Sequence, residues 1–157
     1  MAGFRALCAA LYFAGGELTM PRIAPTLELA YAIRRRIVPD IFSVEEYQQP
    51  DADAPKAPLY VRETILEETA EQYSQGMRRW SFLVELDIFC DRVSYPSPKR
   101  TLEGKADEIK AAFDPDGEKL AIGGFRVWID GLPQCQGMDQ EDELFRMPVT
   151  FSVVIVG

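Results

Sequence analysis

One stretch, Trp80 to Asp91, constrains the fold of this chain more than any other. Trp80, Phe82, Val84, Leu86, Ile88 and Cys90 alternate with Ser81, Leu83, Glu85, Asp87, Phe89 and Asp91. Strand side chains point alternately to opposite faces, so this pattern is a long strand with one wholly apolar face and one mixed face. A sheet with one buried and one partly wet face is antiparallel rather than parallel. The preceding segment, with Leu59, Val61 and Ile65 running into Glu67, Glu68 and Glu71, is therefore expected to pair with it as a long hairpin. The hairpin tip, Ala70 to Met77, is polar and contains Gly76.

The rest of the chain supplies the cover for that apolar face. Thr26 is placed to cap a helix whose apolar positions Leu27, Ala30, Tyr31, Ile37 and Val38 follow the helical period. Arg34, Arg35 and Arg36 fall in its last turn, where positive charge suits the helix dipole, and Pro39 stops it. The arginine run also has the chemistry of a phosphate patch, but a capped helix end accounts for it more simply. Ile41 to Tyr47 reads as a short strand, and Gln48 to Pro58, with three prolines, reads as a loop. Ser97-Pro98 starts a second helix, striped by Leu102, Ala106, Ile109 and Phe113 and ended by Pro115 and Gly117. Phe125, Val127 and Ile129 alternate as a strand closed by Gly131 and Pro133. An acidic loop, Asp139 to Glu143, leads into a last strand with Phe145, Met147, Val149, Phe151, Val153 and Ile155 on one face and Arg146, Thr150 and Ser152 on the other. The expected fold is α+β: an antiparallel sheet of four to five strands packed on two helices, in the order α-(β)-β-β-α-β-β.

Residues 24–157 are read as a single domain, with 1–23 as an extension. Met1 to Leu11 is faintly signal-like, but it is broken by Gly15-Gly16 and Glu17 and is too short to span a bilayer. Two other readings stand beside it: a true start at Met20, and a short amphipathic helix from Phe4 to Phe13.

Composition bears mainly on chemistry. The formal charge of −8 argues against a chain built to grip nucleic acid, which needs a surplus of Lys and Arg. It serves solubility, and it suits DNA that must pass without sticking. Cys8, Cys90 and Cys135 are scattered without paired spacing and read as reduced, buried thiols in a reducing compartment. Histidine is absent, which removes the commonest general base, the Ser-His and Cys-His pairs and every histidine-containing metal site. Glu67, Glu68 and Glu71 have the chemistry of a metal or acid–base site, yet on an exposed arm they read as a solvated face. Asp114 to Glu118 resembles the start of a calcium loop but lacks the glycine and glutamate that complete one. No nucleotide-binding glycine motif, nucleophile elbow or zinc motif occurs. No catalytic residue, cofactor or metal is expected.

The order of elements resembles the tail-terminator proteins of long-tailed bacteriophages, also known as tail-completion or minor capsid proteins. The resemblance is carried by TLELAYAIRRRIVPDIF, PLYVRETILEETAEQ, RRWSFLVELDIFCDR, PKRTLEGKADEIKAAF, GGFRVWIDGLPQC and FRMPVTFSVVIVG, which together span residues 24–157. It implies a virion protein, assembled in the host cytoplasm, that forms a hexameric ring on the finished tail tube at the head–tail junction. Such a ring ends polymerisation and meets the head connector while DNA passes through. On that reading the hairpin arm, with Glu67, Glu68, Glu71, Gln72, Tyr73, Met77, Arg78 and Arg79, meets a neighbouring subunit or the tube. Asp139, Glu141, Asp142 and Glu143 would line an acidic lumen that repels DNA, or form a solvated loop. Two rivals are another connector or stopper subunit and a host ligand-binding domain with a pocket between helix and sheet.

Overall fold

A computed structural model describes residues 23–48 and 57–157, preceded by two two-residue strands, β1 (Phe13–Ala14) and β2 (Glu17–Leu18), that pair antiparallel. The signal-like run, most of the Phe4–Phe13 helix, Met20 and Cys8 lie outside the described residues.

Helix α1 (Thr26–Ile37) begins one residue earlier than a Thr26 cap would allow. Pro25 holds the cap position, and its carbonyl accepts the Leu29 N–H at 2.9 Å with no side-chain cap. The buried stripe is Leu29, Ala32, Ile33 and Ile37, not the one led by Leu27 and Tyr31, which are 54% and 51% exposed. Both stripes have helical spacing, and packing against the sheet selects one of them. The arginines end the helix as expected, and Arg36 does more. Its guanidinium donates to the carbonyls of Ala112 (2.7 Å), Glu118 (2.9 Å) and Lys119 (3.1 Å), tying α1 to the end of the second helix. Charge-assisted bonds of this kind contribute about 1.5–3 kcal/mol each before solvent exposure weakens them. Arg36→Ala is expected to lower unfolding stability by about 2 kcal/mol in urea titrations, and Arg36→Lys to recover only part, because an ammonium lacks the planar fork.

Of the expected strand over Ile41–Tyr47, all but Tyr47 is instead a turn, because the Ser43 N–H bonds the Glu46 carboxylate at 2.8 Å and competes with extended pairing. Only β3 (Tyr47–Gln48) pairs, parallel to β4 (Leu59–Ser74), so Gln48 belongs to a strand rather than the loop. Strand β4 and β5 (Met77–Asp91) form the expected long hairpin, closed by Gln75 and by Gly76 at φ +75. Helix α2 (Pro98–Ala112) follows Ser97-Pro98, and its stripe of Leu102, Ala106, Ile109 and Phe113 is buried. Beyond it, Asp114 turns the chain by accepting the Asp116 N–H on its side chain and the Gly117 N–H on its carbonyl.

Gly131 and Pro133 do not close the next strand. β6 (Arg126–Cys135) runs through them with a shifted register between Asp130 and Gln134, where Gly131 takes φ +84 and Pro133 lacks the N–H a regular ladder would use. The acidic loop is likewise a correction. It is strand β7 (Asp139–Glu141) and a tight turn in which Asp142 takes φ +54, leading into β8 (Leu144–Val156).

Six of the described strands form one sheet, in the order β3-β4-β5-β8-β6, with β7 paired to β8 beyond the end of β6. The α+β class is as expected. The sheet has one strand more than the five expected: β3 answers the short strand before the hairpin, and β7 is too short to leave a period in the sequence. Both helices cover the face formed by the even residues of β5 and the odd residues of β8, where Phe113 stacks on Phe151 at 4.4 Å.

Candidate assembly surfaces

The residues singled out on the hairpin stand together at one end of the sheet. Glu67 and Glu71 are exposed on β4, and Glu68 lies between them at a β-bulge. Gln72 opposes Arg78, Tyr73 is 51% exposed, and Met77 is half-buried beside the turn. Arg79 opposes Glu71, and their charged groups approach to 3.9 Å. The backbones of Arg78 and Gly157 exchange two hydrogen bonds, at 2.9 and 3.0 Å, which anchors the arm to the residue after the last strand. Tyr73 also lines a cleft of about 560 Å³ with Lys119, Leu120, Phe125, Arg126 and Trp128.

Asp139, Glu141, Asp142 and Glu143 are all exposed, but at the other end of the sheet. Arg79 pairs with Val156 at one end of β5 and Asp91 with Leu144 at the other. At about 3.4 Å per residue the two clusters are roughly 40 Å apart. The hairpin arm and the acidic turn therefore form two separate surfaces.

Between them, the sheet face turned away from the helices carries a charge network that sequence reasoning missed. Arg146 reaches Asp87 at 2.8 Å, Glu85 at 3.4 Å and Asp139 at 3.6 Å, so it holds β7 to the sheet and engages one of the four acidic candidates. Beside it Tyr60 stacks on Phe89 at 4.7 Å, and the Arg62 guanidinium lies over the same ring. The alternation of β5 and β8 already put Glu85, Asp87 and Arg146 on their non-core faces. What it lacked was the pairing register that sets Arg146 opposite Phe89.

A further cleft, about 600 Å³, lies between α2 and the connection from β6 to β7, lined by Lys99, Glu103, Asp107, Lys110, Cys135 and Met138 among others. Burial pushes the Cys135 thiol above its ordinary pKa, and Cys90, raised to about 11 by burial and by Asp91, is shut in the core. Neither thiol is activated as a nucleophile. Among the described residues, no cluster of carboxylates and thiols has the geometry of a metal site, and no helix is long and apolar enough to cross a membrane.

No protein-family model and no curated protein matches the chain. Solved structures do match. One, whose name carries no function, aligns with a TM-score of 0.63 at 13% identity over 83% of this chain and 94% of its own. Another, from the virion of a native gene transfer agent particle, aligns with a TM-score of 0.62 at 15% identity over 87% of this chain and 100% of its own. At such identities the likeness establishes a shared fold, and that fold is one found in the virion of a gene transfer agent particle.

Proposed function

We propose that this chain is a structural part of a phage-like particle. Its role on this reading is to form the ring that caps the tail tube, ends tube polymerisation and offers a surface for joining the head. The observation that carries this reading is the fold shared with a gene transfer agent virion chain over that chain's full length. The arrangement of surfaces supports it. A ring between tube and connector needs two distinct contact faces, and the hairpin arm and the acidic turn stand at opposite ends of one sheet. Asp139, Glu141, Asp142 and Glu143 facing the channel would repel passing DNA, and no catalytic step is needed.

A host ligand-binding domain is the rival reading, and the cleft beside α2 is where it would act. Deleting the gene and imaging particles by electron microscopy separates the two. Overlong tails detached from filled heads are expected. Normal virions, or no particles in the wild type, would sink the proposal.

A further inference from the structure

The two outer edges of the sheet are unlike each other, and they match. Along β4, β3 pairs only with Val61 and Arg62, and among the described residues no strand pairs with the outer edge from Glu63 to Ser74. The Val61 N–H points outward, to the Glu46 carbonyl at 2.7 Å, while the Pro58 carbonyl points inward, to the Asp91 N–H. Backbone groups alternate along a strand, so the N–H groups of Glu63, Ile65 and Glu67 also point outward. At the opposite side of the sheet, β8 is the one strand among the described residues that pairs with β6. Exposed edges of this kind are templates for pairing with another chain.

The registers place the two edges in the same rows. Arg126 pairs with Val156, Val156 with Arg79, and Arg79 with Glu71. Three rows further in, Ile129 leads through Val153 and Phe82 to Glu67. Arg126 and Glu71 thus stand in one row, on one face, at opposite edges, and both are exposed. β6 also runs antiparallel to β4. A closed ring requires rotation with no net rise, and a rotation about an axis running along the strands brings the β6 edge of one copy onto the β4 edge of the next, row to row.

We infer that copies of this chain join edge to edge, with β6 of one copy pairing antiparallel with the free edge of β4 in the next and Arg126 set against Glu71. A contact between two different edges is heterologous, so it does not stop at a dimer, and it gives a ring where the rotation closes. The inference rests on the assembly reading above and deepens it, but its test reads self-association alone, so either can fail without the other.

The test is sedimentation velocity of the purified full chain at rising concentration. The wild type is expected to form a discrete oligomer larger than a dimer. Glu67→Pro removes an outward N–H without breaking the β4–β5 ladder, and it should weaken association by roughly tenfold or more. Glu71→Arg and Arg126→Glu should each weaken it similarly, and the two together should restore it. If Glu67→Pro does not fold, the charge exchange decides alone. A wild type that stays monomeric to its solubility limit overturns the inference. So does a dimer indifferent to Arg126→Glu, which would mean β4 pairing with itself.

Discussion

Val84→Asp is expected to yield no soluble, cooperatively folding protein. Val84 is fully buried at the centre of β5, paired with Ile65 on one side and Phe151 on the other, on the face that the helices cover. A carboxylate there has neither water nor a cation. An unpaired buried charge costs several kcal/mol, and even the protonated acid leaves polar atoms unsatisfied. Total stability of a domain this size is only about 5–15 kcal/mol, and the change also removes the apolar contacts of valine. Ser81→Asp makes the control, since Ser81 lies on the same strand but on the face turned away from the helices and is only half-buried. It should fold and melt near the wild type. A Val84→Asp chain that is soluble and unfolds cooperatively in urea would show that the helices cover the other face.

The second large effect is a dependence of stability on pH that traces to Glu63. This glutamate sits in β4 opposite Leu86, between Val61 and Ile65, on the apolar face of the sheet. It is 7% exposed, and its Oε2 has no hydrogen-bond partner. Burial alone raises its pKa from 4.5 to about 7. Below pH 4.5 the carboxyl is neutral in both folded and unfolded chains and costs little. Between pH 4.5 and 7 the folded chain keeps a proton that the unfolded chain releases, so stability falls as pH rises. Above pH 7 the loss levels off at about 3 kcal/mol, because each tenfold difference in proton affinity between the two states is worth roughly 1.4 kcal/mol. Glu63→Gln and Glu63→Leu should remove this slope, so that their advantage over the wild type grows by about 3 kcal/mol from pH 4.5 to pH 8. Urea unfolding of wild type and variants across that range measures the difference, which cancels the titration of the other carboxylates. A difference that stays constant with pH would mean that Glu63 finds a partner or reaches water.

Some elements were legible because their patterns were long enough to leave no choice. The alternation from Trp80 to Cys90 and from Phe145 to Ile155 set two core strands and their buried face, and Leu102, Ala106, Ile109 and Phe113 set the stripe of α2. Where the sequence offered two patterns, it did not choose between them. Helix α1 carries apolar residues on two helical stripes, one with Leu27 and Tyr31, which are exposed, and one with Leu29 and Ile33, which are buried. Strands of two and three residues, β3 and β7, have no period to read.

The candidate surfaces divide the same way. That the hairpin tip and the segment from Asp139 to Glu143 are charged and exposed follows from composition, because neither holds enough apolar side chain to repay burial. Their separation to opposite ends of the sheet does not follow, since it depends on the register of β5 with β8. The same register gathers Asp87, Glu85 and Asp139 around Arg146 and puts Arg126 and Glu71 in one row. Local alternation decides which face a side chain takes. Which residues become neighbours depends on pairing between segments distant in the chain, and that is decided only when the whole core closes.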